Sequence, residues 1–315
     1  MTSNDGQPST KTSTENAYEY QPDWTKRQVD LDFIVNVAED LISLTWEIFE
    51  KFGEVTLEDV INGKRTPLYR ARLARQIDEL NAITTLTRAK LGHVAPAYLR
   101  PACEEYFWIK YLNTLQPLDI RDILLTFANL DNLRAIQAQQ MFIGKKGMKQ
   151  LGFPAAFVNE TTRTMQNSKS RVADIGMRLG WPTADDTATG PSGVPSTHWV
   201  ANKVGEGKLY DYLYSATSRH VHFSVGELLR RTEVEPSHAI DYKGAEKRRD
   251  RSFFSIHWGV SLLLQTASEC IDSEGPIELP DDFQNKVMSI AGRLGRYGVP
   301  PLTHGREWNG AWKVQ

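Results

Sequence analysis

Tyr214, Ser218 and His222 recur every four residues in the segment from Lys208 to Ser224, and each side chain can donate or accept a proton. A helix advances about 100° per residue, so residues four apart lie roughly 40° from one another. Read as a helix, the segment lines these three side chains along one face, with Tyr210 a turn earlier. His222 titrates near neutrality and can serve as general acid or base. Arg219 can stabilise charge developing on a phosphate. The same residue types also build ordinary hydrogen-bonded seams between packed helices. Such a seam is the commoner arrangement, and the stripe can be read either way.

Other chemistry is poorly supported. His220 points roughly 200° away from His222 on a helix, so the two do not chelate one ion. A set of His198, His222 and His257 has no recognisable ligand spacing. Cys103 and Cys270 stand alone in apolar surroundings with no CxxC pair, and read as buried thiols. No GxxxxGK[ST] or GxGxxG loop occurs. The expectation is no metal and no cofactor. Two further sets can bind. Arg100 and Glu104 are four apart, as an intrahelical ion pair requires, and packing against the Tyr214 helix would bring them toward His222. Lys247, Arg248, Arg249 and Arg251 form the densest basic cluster and can hold phosphate, or simply open a helix in solvent.

The elements that must position these groups are helical. Apolar residues recur at helical spacing from Leu31 to Ile48, with Gly53 closing the run. Thr66-Pro67 opens a helix to about Leu91, whose charged side (Arg70, Arg72, Arg75, Asp78, Glu79) is expected to face solvent or a partner. An aromatic helix spans about 97–115 and another about 118–142, followed by a basic turn with Lys145, Lys146 and Lys149. Helices at about 154–179, 208–231, 247–272 and 281–294 complete an all-α bundle of about eight helices. No strand alternation is apparent. Residues 1–22, polar and poor in aliphatics, read as a disordered tail. Residues 23–315 read as one helical domain, with a Pro, Gly and Thr-rich loop at 181–196. The tail after Pro300 reads as irregular but docked.

Composition narrows the class. The chain of 315 residues is 40% hydrophobic and 24% charged, which suits a globular core, and its net charge of −2 is unlike that of a dedicated nucleic-acid binder. The start lacks the basic and apolar regions of a secretory signal. The apolar run Phe253–Leu264 is too short to span a bilayer. These features predict a soluble cytoplasmic protein with no membrane. Its partner would be another protein or RNA. A homodimer through the amphipathic helix at 66–91 is one arrangement they allow.

The pair of segments "LRPACEEYFWIKYL" and "YDYLYSATSRHVHFS" resembles a widespread bacterial all-helical family of unknown function. The likeness rests on Arg100-x-x-x-Glu104 and on Tyr214, Ser218, His222 and Ser224, and covers roughly residues 70–235. That family is similar in general form to HEPN domains of defence and toxin systems, many of them dimeric metal-independent ribonucleases using an Arg and a His with four to six residues between them. This chain departs from that spacing. Only two residues separate Arg219 from His222, and Pro236 interrupts the six between Arg231 and His238. The resemblance implies a protein- or ligand-binding module of a stress or defence system, with a ribonuclease using His222 as the alternative.

Overall fold

The computed structural model describes residues 29–182, 193–221, 233–234, 240–241, 245–274 and 278–300. The expected tail at 1–22, most of the loop at 181–196, and the segment after Pro300 lie outside them. Helix α1 (Leu31–Lys51) starts where the Asp30 carboxylate accepts the Phe33 N–H at 3.1 Å, and its apolar stripe from Ile34 to Ile48 is buried. A one-turn helix α2 (Leu57–Ile61) is held by a reciprocal cap between Thr56 and Asp59. Pro67 opens α3 (Thr66–Arg88), and a 3-10 turn (Ala95–Tyr98) leads into α4 (Leu99–Asn113).

Helices α5 (Pro117–Gln150) and α6 (Ala155–Leu179) pack on each other as an antiparallel hairpin. Arg178 reaches Asp119 at 2.8 Å at the base, and Asn129 donates to Ser168 at 3.0 Å further out. The predicted basic turn falls at the far end of this hairpin, with its lysines helical rather than in a loop. Lys145, Lys146 and Lys149 occupy a short helical stretch beyond the break at Gly144 that lies where the chain reverses between the two arms. The remaining helices are α7 (Thr197–Lys203), α8 (Gly207–Val221), α9 (Ala245–Glu274) and α10 (Phe283–Gly295). Between α8 and α9, β1 (Glu233–Val234) pairs antiparallel with β2 (Ile240–Asp241), a two-residue ladder that period-two alternation is too short to reveal. The all-α reading holds.

The core lies where α9 packs against α3, α4 and α1. Gly259 permits the closest approach, since a Cβ there would sit 2.9 Å from Leu80 Cδ1. Tyr69, Leu73, Ile77 and Leu80 of α3 are wholly or almost wholly buried, each apolar side chain supplying about 1.5–3 kcal/mol. The apolar face of α3 is thus consumed inside the chain and offers no dimer surface. Its charged side is likewise mostly engaged. Arg70 lies over the Phe49 ring and donates to the Gly53 carbonyl, while Glu79 is only 8% exposed.

The chain turns sharply between α2 and α3, against the start of α5. Gly63 adopts φ +69°, and a side chain there would collide with the Pro117 carbonyl. Arg65 donates to Leu115 O at 2.7 Å beside it. Among the described residues, no helix is long and apolar enough to cross a membrane.

Candidate functional site

Helix α8 is placed by α7 and the turn through Gly205, and both helices pack on α4. Leu213, Ala216 and Thr217 face inward, which turns Tyr210 and Tyr214 to the rim of the α4 contact. The two rings stack at 5.1 Å and 22°, as residues four apart on a helix can. His198 of α7 extends the row, 5.3 Å from Tyr210, and Phe107 of α4 lies 6.1 Å from the same ring. Of the stripe expected from the sequence, Tyr214 lies at the surface, 36% exposed, and Tyr210 a turn earlier is half-buried.

Arg100 ends the row. Its guanidinium carbon lies 4.9 Å from the Tyr214 ring centre, and its Nε donates to Glu104 Oε1 at 3.0 Å. Burial works against its charge, but the Glu104 carboxylate and the two tyrosines outweigh this and hold the Arg100 pKa above its usual value. The expected approach of the Arg100–Glu104 pair to α8 is therefore found, and among the described residues Tyr214 receives it. Burial pushes the Tyr210 hydroxyl up to about 12, with Tyr214 and Glu104 adding to the shift. That phenol stays protonated at neutral pH.

Ser218 follows half-buried on α8. The Arg219 side chain, His222 and Ser224 lie outside the described residues. So do the side chains of Lys247 and Arg248. Arg249 donates through Nε to the Val29 carbonyl at 3.0 Å, which ties α9 to the start of α1. Arg251, two residues further on, is half-buried. His257 sits in the core between Phe253 and Trp258, and burial lowers its pKa to about 4. Among the described residues, no three His, Cys, Asp or Glu side chains gather as a metal site.

Two charged clusters were not foreseen. Glu206, in the turn before α8, accepts from Lys110 Nζ at 2.5 Å and from the Tyr106 hydroxyl at 3.1 Å, fastening α8 to α4. Between α3 and α4, Glu105 meets Arg72 at 2.7 Å and Arg75 at 2.9 Å, and Arg75 also reaches Glu79 at 3.5 Å. Burial, then repulsion from Glu105, pushes Glu79 up to about 8. Burial also raises Glu105, with the two arginines pulling it back. The signal was present in the sequence. Ala102, Glu105, Ile109 and Leu112 follow the spacing of a buried helix face, and a Glu in that series marks a carboxylate forced into the interior.

The rings are packed on one another, the cation is paired, and Glu79, raised by burial, is enclosed between helices. No curated protein and no solved structure matches the chain. A family model matches residues 71–239, more than half of the chain and the stretch that contains α4, α8 and both motifs. The chain belongs to that family, the family of unknown function DUF5677.

Proposed function

We propose that the protein is a non-catalytic binding module whose α4–α7–α8 face around Tyr214 meets a protein partner. The observation that carries this reading is the row His198–Tyr210–Tyr214–Arg100. It presents rigid rings at the surface while its one cation is already neutralised by Glu104. Tyrosines held this way supply contact area at little cost in conformational entropy. Asp211, exposed beside the row, and His198, exposed at its end, suit a polar rim. The setting in a bacterial stress or defence system rests on the HEPN-like resemblance alone.

The competing reading is a metal-independent ribonuclease with His222 as acid or base, and one comparison separates the two. Total RNA is incubated with the wild type and with His222→Ala. The binding module leaves RNA intact in both samples. Cleavage by the wild type that disappears in His222→Ala overturns the proposal. Binding itself is read in native host cells with a photoreactive residue at Asp211, and with one at exposed Met288 as control. A discrete protein adduct at 211, lost when Tyr214→Ala and Arg100→Ala are added, is expected. Equal adducts at both positions would count against the face.

A further inference from the structure

The α5–α6 hairpin is an arm whose free end and base have opposite character. At the end, Phe142 is 91% exposed and Met141 82%, beside the exposed Lys145, Lys146 and Lys149. From Asp131 to Asp174 the arm carries Lys or Arg at seven positions and Asp or Glu at three, although the whole chain is net −2. Beside the base lies α2, joined there through Gly63 against Pro117 and Arg65 against Leu115. This corner is acidic and apolar. Glu47 to Asp59 holds five carboxylates against one lysine, with Glu50, Glu54 and Glu58 exposed and Leu57 73% and Ile61 49% exposed.

We infer that this arm docks on a second copy of the chain, with the tip of each arm seated on the partner's α2 corner. Within one chain the two surfaces do not meet. Helix from Pro117 to Ile143 spans ~40 Å at 1.5 Å per residue, which holds the tip far from its own α2. Two arms laid side by side and antiparallel about a two-fold axis bring each basic tip to the other chain's acidic base. A two-fold axis makes both contacts together. Phe142 and Met141 then pack against Leu57 and Ile61, while the lysines face Glu50, Glu54 and Glu58. Exposed Leu118 and Leu125 along α5 lie in the path of the partner arm. Like-charged tips disfavour tip-to-tip association, and burying apolar side chains within complementary charge gives the contact its specificity.

The test is sedimentation equilibrium of the full chain, with circular dichroism to check folding. The wild type is expected to form a dimer that weakens as salt rises. Lys145→Glu with Lys146→Glu, or Glu50→Lys with Glu54→Lys, should each raise the dissociation constant about tenfold or more. The four changes together should restore it to within roughly threefold of the wild type. Phe142→Ala, a change at a nearly fully exposed site, should weaken the dimer without charge effects. A wild type that remains monomeric at ~100 μM, far above the range of stable protein–protein association, overturns the proposal and leaves the arm to an acidic protein partner. A dimer indifferent to both reversals, or one that the combined variant fails to restore, overturns it too.

Discussion

Replacing Glu79 by Gln should make the protein more stable at neutral pH than at mildly acidic pH, relative to the wild type. Glu79 is 8% exposed, with Arg75 at 3.5 Å and the Glu105 carboxylate sharing that arginine at 2.9 Å. Its Oε2 and the Oε1 of neighbouring Gln76 have no hydrogen-bond partner among the described residues. Burial first, and Glu105 second, move the pKa from 4.5 to about 8 in the folded protein. For an acid raised in this way, the folded state binds the extra proton between the two values. The stability contributed is complete below about pH 4.5 and is lost as pH climbs toward about 8. Each pH unit in that window is worth at most ~1.4 kcal/mol, so pH 5 to 7 would remove at most about 2.7 kcal/mol. Water reaching the partly exposed Arg75 reduces this to about 1–2 kcal/mol. Glutamine does not titrate, so the gain of Glu79→Gln over the wild type should grow by that amount between pH 5 and pH 7. Lost contact with Arg75 is constant across this range and cancels in the comparison. Urea unfolding at pH 5, 6 and 7, followed by circular dichroism, measures it. A difference flat to within about 0.5 kcal/mol would show that Glu79 is ionised in the fold, and the reasoning would fail.

Two other outcomes follow from packing. Gly63→Ala places a side chain against the Pro117 carbonyl at φ +69°, and should cost about 1–3 kcal/mol in thermal or urea unfolding. Cys103 and Cys270 are buried, and burial also raises the Cys103 thiol pKa. A thiol reagent should therefore label neither in the native protein at pH 8 and both after unfolding in urea. Labelling of Cys103 at the rate of a free thiol would contradict its burial.

The helices were legible because their signals are local. The apolar stripe of α1, the Pro67 start of α3 and the ring spacing of Tyr210 and Tyr214 depend on residues within a turn or two of one another. One-turn helices such as α2, and the two-residue ladder of β1 and β2, fall below the length at which periodicity speaks. The basic turn at Lys145, Lys146 and Lys149 was legible as the place where the chain reverses, but not as helix. Two glycines and three lysines look like loop composition, yet beyond the break at Gly144 the lysines form a short helical stretch of their own.

Sequence alone determined that this chain is a helical bundle, that Arg100 and Glu104 are spaced to pair, and that Tyr210 and Tyr214 share one helix face. Periodicity and four-residue spacing suffice for these. Tertiary structure decided the rest. It turned Arg100 onto Tyr214, drove Glu79 and Glu105 into one enclosure with Arg72 and Arg75, and swung the basic arm tip away from the acidic α2 corner. Each of these joins residues from separate helices. Their pKa values and exposure depend on which helix is packed against which, a property no window along the chain contains.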